Sequence, residues 1–112
     1  FLTLRTDSLS DTLRAPALAD NSWTFVAATW NAGTGRQVLY YDGVAVDSSM
    51  QPRSLDYANT PAIDMHLFLG ANFIGALDEV RISNRARPPS WIALDSRTQE
   101  PGSNAVRFFK QP

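Results

Sequence analysis

The chain has 112 residues, 44% of them hydrophobic, with 10 Lys and Arg against 11 Asp and Glu, one His and no Cys. This length is typical of one domain with a core of useful size. The net charge of −1 gives no general attraction to nucleic acid or to an anionic membrane. The lack of Cys excludes disulfides, thiolate catalysis and sulfur-ligated zinc, and no apolar run is long enough to span a bilayer. Because the chain starts at Phe1 without a leader pattern, we expect a processed or partial chain.

The kinds of charged residue indicate a β protein. Nine of the acids are Asp and two are Glu, while nine of the bases are Arg and one is Lys. Asp competes for backbone hydrogen bonds and favours turns, whereas Glu and Lys favour helices. Seven Pro and six Gly are scattered along the chain, which predicts short strands joined by turns. The Arg residues are dispersed, which favours solvated strand faces over a phosphate site.

The first strands are predicted before residue 31. Alternating residues predict a strand over 1–5, and Pro16 restricts 13–18 to an edge strand or an irregular arm. Aromatic and β-branched residues on both faces of 23–30 predict an interior strand of a sandwich.

A hairpin is predicted next. The dipeptide Asp42-Gly43 lies between two strand-like runs, 37–41 and 44–47. Asp-Gly favours a two-residue turn with positive φ at both positions. The two runs are therefore predicted to pair antiparallel.

The second half alternates connections and short elements. Residues 48–64 are polar and without period, which indicates a long connection between sheets. Strands are predicted over 66–70 and 76–83, a helix over 89–98 because Pro is tolerated in its first turn, and a final strand over 104–110. A stripe of Trp91, Ile92 and Leu94 would dock the helix on a sheet. The fold class predicted is all-β, an antiparallel sandwich with one short helix near the C-terminus.

Three motifs in the same order carry a family resemblance. They are the strand WTFVAATW at 23–30, the hairpin LYYDG at 39–43 and the segment FIGALDEVRISNRAR at 73–87, followed by SWIA in the helix. Together they resemble the laminin G-like branch of the concanavalin A-like lectin/glucanase domains. The resemblance implies a jelly-roll sandwich over 1–99, with 100–112 as a terminal strand and linker. Relatives with this pattern are usually longer, so we expect the strands missing before Phe1 to come from the parent chain or a partner.

Seven residues are expected to have structural roles. Two tryptophans have the bulk to fill the gap between two sheets, and two glycines allow a turn and a bend. A carboxylate in 76–83 is expected to accept hydrogen bonds from loop amides. The residues are Trp23, Trp30, Gly43, Gly75, Asp78, Glu79 and Trp91.

Catalysis is not expected, although the superfamily resembled here includes glycoside hydrolases. A retaining mechanism needs two carboxyl groups roughly 5 Å apart on one face. Asp78 and Glu79 are adjacent, so in a strand they would point to opposite faces, and Glu100 lies beyond the helix. His66 lies in an apolar run, and no Ser occupies a strand-to-helix elbow.

Calcium and ligand sites are the remaining candidates. Laminin G-like relatives often hold Ca²⁺ at the rim of the sandwich, and the candidate ligands here are Asp42, Asp47 and Asp64, although they lack a D-x-D spacing. Glycan binding uses exposed aromatic rings with amides and acids beside them. The candidate ligand-binding residues are Tyr40, Tyr41, Asn72 and Phe73, and one of the two tyrosines should face away from the core. Protein recognition would use the same loops or a sheet edge.

The sequence therefore predicts a non-catalytic binding module of a larger extracytoplasmic bacterial surface or envelope protein. Its ligand is expected to be a glycan or a protein, not nucleic acid, and no insertion into a membrane is expected. The alternative is a structural or assembly element of an envelope complex, such as a biopolymer-transport (ExbB/TolQ-like) proton-channel protein. A glycoside hydrolase is the least favoured reading.

Overall fold

The structure, a computed structural model, describes residues 2–5, 10–50, 69, 70 and 72–103. Its elements in chain order are β1 (Leu2–Arg5), β2 (Ser10–Leu13), β3 (Val26–Asn31), β4 (Arg36–Tyr41), β5 (Val44–Met50) and α1 (Pro89–Gln99). β1 and β2 form one antiparallel pair, and β3, β4 and β5 form an antiparallel sheet with β4 in the centre. The predicted class, antiparallel β with one short helix near the C-terminus, is confirmed over these residues. Residues 66–68 of the strand predicted over 66–70, and the strand predicted over 104–110, lie outside them, whereas residues 69 and 70 are described and form a bend instead of a strand.

The predicted hairpin between β4 and β5 is confirmed. Asp42 and Gly43 have φ of 48° and 78°, and Tyr41 pairs with Val44. The turn is also fixed to the chain that enters β3. The Asp42 N–H donates to the Phe25 carbonyl at 2.8 Å, and the Phe25 N–H donates to Asp42 Oδ1 at 2.9 Å.

The central strand β4 is covered on both faces, and its residues from Gln37 to Tyr40 are buried. On one face, Val38 and Tyr40 form a cluster with Ile92 of α1. β2 lies against β4 and β5, and Leu13 at its end is buried. Among the described residues, the core therefore lies around the central strand β4.

Helix α1 begins where the sequence predicts and ends one residue later. Pro89 occupies the first turn, where a missing N–H removes no helical bond, and the Trp91 and Ile92 N–H groups bond the Pro88 carbonyl at 3.0 and 3.2 Å. The docking stripe is only partly as predicted. Ile92 is 4% exposed, whereas Leu94 is 51% and Trp91 38% exposed. Ser96, four residues after Ile92, is buried instead, because it lies on the same side of the helix.

The helix approaches the β4–β5 turn very closely. A Cβ added at Gly43 would lie 2.9 Å from the Ala93 Cα and 3.3 Å from the Ser96 Cβ. Gly43 therefore meets two requirements at once, a positive φ and a backbone contact with the helix.

The strand predicted over 76–83 is wrong for this structure, where the segment is irregular. Glu79 has a positive φ of 53°, which interrupts the extended backbone, and its N–H donates to Asp78 Oδ1 at 2.8 Å. Within the described part of the chain, neither sheet includes this segment. A strand needs a neighbour for its backbone hydrogen bonds, and alternating residues alone do not supply one.

Two further predictions concern the ends of strands. β2 stops at Leu13, so of the two alternatives predicted for this stretch the irregular arm is confirmed for residues 14–18. β3 begins at Val26, and Trp23 before it is 72% exposed instead of filling a gap between sheets. Trp30, within β3, is half-buried. The Phe25 N–H is bonded to the Asp42 carboxylate instead of a neighbouring strand, which explains why pairing starts only at Val26.

Candidate functional site

The two adjacent tyrosines of β4 lie on opposite faces of the sheet. Tyr40 is 3% exposed and packs in the cluster beneath α1. The prediction that Tyr40 contacts a ligand is therefore corrected, because its ring is enclosed in the core. Tyr41 is half-buried and lies on the face opposite α1.

Tyr41 is the centre of a row of three side chains that crosses the sheet. It is directly opposite Val26 of β3 and Val44 of β5, and both valines are more than half exposed. Directly opposite residues of antiparallel strands share a face. We call Val26, Tyr41 and Val44 the Tyr41 row. An aromatic ring between two aliphatic side chains offers a flat apolar surface with a hydroxyl group, which suits a sugar ring or an apolar side chain of a protein.

The candidate calcium ligands have structural partners here. One oxygen of Asp42 accepts the Phe25 N–H, and Asp47 uses both oxygens, accepting the Arg14 N–H at Oδ2 (2.6 Å) and the Ser48 N–H at Oδ1 (2.8 Å). Asp64 lies outside the described residues. Among the residues that are described, no three His, Asp or Glu side chains come together to hold a metal ion. Calcium binding stays a prediction.

The other predicted ligand-binding residues lie in a loop that is packed by its own side chains. Asn72 is exposed with φ of 62°, and the Phe73 N–H donates to the Gly70 carbonyl at 2.9 Å. The Phe73 ring lies against Gly75, where an added Cβ would be 2.5 Å from Cζ. The ring is nevertheless partly exposed, and Ile74 beside it is fully exposed. Gly75 thus allows the ring to rest on the backbone.

The charged residues near the end of this segment form a network with α1. Arg81 donates from Nη1 to Asp95 Oδ1 at 2.9 Å and from Nη2 to Glu79 Oε2 at 3.1 Å. The pKa of Arg81 is raised, first because Glu79 accepts a hydrogen bond from it and then because of the negative charge of Asp95. Glu79 and Asp95 thus pair with a base, and Asp78 holds a backbone amide.

Sequence reasoning missed two arrangements. The first is the Tyr41 row, which the Asp42-Gly43 turn could have revealed, because a two-residue turn places residue 41 opposite 44. The second is on the helix, where the Arg87 guanidinium carbon lies 4.9 Å from the centre of the Trp91 ring. Their spacing of four residues at a helix start was the available signal.

Among the described residues, no helix is both long and apolar enough to cross a membrane.

Comparison with known proteins places the chain in a family. A laminin G family model, described as concanavalin A-like lectin/glucanases superfamily, matches residues 2–93. The crystal structure of an S-layer domain-containing protein (residues 221-444) from Clostridium thermocellum ATCC 27405 has a similar fold, with a TM-score of 0.52 and 19% identity. The match covers 79% of this chain and 44% of that chain, so this chain spans less than half of its length. No curated protein matches the chain. Because the family match extends over most of the sequence, the chain belongs to the laminin G-like domains of the concanavalin A-like lectin/glucanases superfamily.

Proposed function

We propose that the chain is a non-catalytic binding module of a larger bacterial surface or envelope protein, with a glycan or protein ligand. The observation that carries the proposal is the Tyr41 row, in which a partly exposed ring lies between two exposed valines on the face of the sheet opposite α1. Family membership supports a binding role, since the superfamily includes lectins. The similarity of fold to an S-layer domain-containing protein supports a place outside the cytoplasm.

The absence of catalysis is part of the same proposal. Glu79 is held by Arg81, and Asp78 accepts the Glu79 N–H, so neither carboxylate is placed as one of two opposed carboxyl groups. A hydrolase would require activity on β-glucans that disappears in Glu79→Gln, and measurement of that activity tests this point.

The main experiment uses the full chain on a glycan array and in pull-downs from bacterial envelope extracts. Both are run with calcium and again with a chelator. We expect a ligand that Tyr41→Ala loses and Tyr41→Phe keeps, because phenylalanine retains the flat ring. Trp23→Ala is the matched control, since Trp23 is an exposed aromatic residue outside the row.

Two results would count against the proposal. One is the lack of any ligand in both assays. The other is equal loss of binding in Tyr41→Ala and Trp23→Ala. Binding that requires calcium and is lost in Asp47→Asn would support the calcium prediction in addition. Loss in Phe73→Ala alone would move the site to the loop at 72–73.

A second candidate function is a structural element of an envelope assembly. It is favoured by the exposed aliphatic side chains of the segment between Ile74 and Ile82, including Leu77 and Val80. Exposed apolar stretches of this kind mark contact surfaces. If this function is correct, a photo-reactive residue in place of Ile82 should cross-link in cells to the same neighbouring protein each time. The lack of any cross-link in cells would contradict it.

A further inference from the structure

The outer side of helix α1 carries an arginine held against a tryptophan. The Arg87 guanidinium carbon lies 4.9 Å from the centre of the Trp91 ring. Leu94 follows Trp91 by three residues, so both lie on one side of the helix, and both are exposed. Ile92 and Ser96 occupy the buried side. Arg87, Trp91 and Leu94 therefore form a continuous surface, which we call the α1 outer surface.

The positive charge of this surface is not neutralised within the described residues. Arg87 Nε is buried and has no hydrogen-bond acceptor. The ion pairs of the described residues use Arg81 instead, and the first turn of α1 contains no acidic residue. A buried donor without a partner is unfavourable, and more so when it belongs to a charged group. Nε is out of reach of another molecule, so an anionic partner would pair with the Nη groups of the guanidinium and neutralise its charge.

The surface is specific in chemistry as well as in charge. The planar guanidinium matches the two oxygens of a carboxylate, which it binds through parallel N–H···O bonds. Contact with the Trp91 ring limits the orientations of the guanidinium and so reduces the entropy that binding removes. Beside it, Trp91 and Leu94 offer apolar area that an aliphatic side chain of a peptide would cover.

We infer that the α1 outer surface is the docking site for an acidic peptide segment of a protein partner. The carboxylate of the segment pairs with Arg87, and a neighbouring aliphatic side chain lies on Trp91 and Leu94. This site is distinct from the Tyr41 row, because α1 packs on the opposite face of the sheet. The inference therefore goes beyond the proposed function and can hold or fail independently of it.

The test uses short capped peptides and the full chain, followed by NMR and calorimetry. The probe is acetyl-Gly-Glu-Leu-Gly-amide, and its matched control replaces Glu with Gln. We expect the Glu peptide to shift the Trp91 indole N–H and the Arg87 Nε–H signals, and to bind about tenfold more tightly than the Gln peptide, as expected for one charged hydrogen-bonded pair. Because this comparison changes only the peptide and not the protein, its result does not depend on whether any protein variant folds.

Variants of the protein complete the test. Arg87→Met should weaken binding of the Glu peptide by about tenfold, whereas Arg85→Met and Tyr41→Ala should leave it unchanged. Equal affinity for the Glu and Gln peptides, or equal loss in Arg85→Met and Arg87→Met, would overturn the inference. Binding of glucuronate as tight as that of the Glu peptide would also overturn it, since it would show that the aliphatic contact contributes nothing.

Discussion

At the scale of single residues, Gly43 is the position where the structure most strictly requires glycine. Its φ of 78° lies in the left-handed region, and an added Cβ would approach the Ala93 backbone to 2.9 Å. Gly102 also has a positive φ, 75°, but nothing lies within 4 Å of its added Cβ. Alanine substitutions at the two glycines can therefore be compared. Both would strain a positive φ, but only the one at Gly43 would also clash with neighbouring atoms.

Gly43→Ala is predicted to lower the free energy of unfolding by about 2 kcal/mol or more, because backbone strain adds to a clash with the helix. Gly102→Ala should cost about 1 kcal/mol, from strain alone. Urea denaturation followed by circular dichroism measures both. Equal losses in the two variants would show that the helix does not pack on the turn as described.

Asp47 is the second decisive residue, because its carboxylate joins the arm after β2 to β5. Asp47→Ala is predicted to lower the free energy of unfolding by about 2 kcal/mol, since it removes hydrogen bonds to a charged acceptor. Asp20→Ala, an exposed aspartate in a turn, is the control and should change stability by less than about 0.5 kcal/mol. The comparison is made in chelator, so that bound calcium does not contribute. An unchanged stability in Asp47→Ala would exclude the proposed connection.

At the scale of elements, helix α1 packs on the sheet through only one of its sides. Ile92 enters the cluster of Val38 and Tyr40, whereas Leu94 points away from it. Arg81 adds an ion pair from the preceding segment to Asp95, but an exposed pair of this kind contributes little and weakens with salt. Burial of apolar area is therefore the main attachment of α1.

Ile92→Ala is predicted to lower the free energy of unfolding by about 3 kcal/mol, because it leaves a cavity beneath the helix. Leu94→Ala should change it by less than about 0.5 kcal/mol. Both variants keep the helix propensity high, so the difference reports packing. Thermal unfolding of both variants measures these losses. A larger loss in Leu94→Ala than in Ile92→Ala would contradict the packing described here.

At the scale of the whole molecule, the uneven distribution of apolar surface is the main feature. β4 is covered on both faces, yet Ile74, Leu77, Val80 and Ile82 are all exposed. A monomeric protein rarely exposes so many large aliphatic side chains close together. We therefore expect the segment from 74 to 82 to be a contact surface.

The chain is predicted to bind the dye ANS and to self-associate with increasing concentration. The double variant Ile74→Ser/Ile82→Ser should reduce both effects, because it removes two of the most exposed aliphatic side chains. Leu18→Ser is the control, because Leu18 is an exposed leucine distant in sequence from this segment, and it should leave both effects nearly unchanged. Dye fluorescence and light scattering measure the outcome. Equal effects in the two variants would show that the segment has no special role.

The sequence predicted those features that depend on local chemistry. The β4–β5 hairpin follows from Asp42-Gly43, which tolerates two consecutive positive φ values, and the start of α1 follows from Pro89. The order of three motifs indicated the family, and the match over 2–93 confirmed it. Each of these signals lies within a few neighbouring residues, so no distant contact is needed to read it.

Only the tertiary structure decided which side chains are available for function. Tyr40 and Tyr41 are equivalent in the sequence, but the helix packs over one face of β4 and encloses Tyr40 alone. Likewise, residues 76–83 alternate like a strand, yet the described part of the chain gives them no neighbour, and Glu79 adopts a positive φ. Local pattern determines which conformations a segment can adopt. Contacts between segments distant in sequence select among them, because burial and strand pairing supply most of the stabilising free energy.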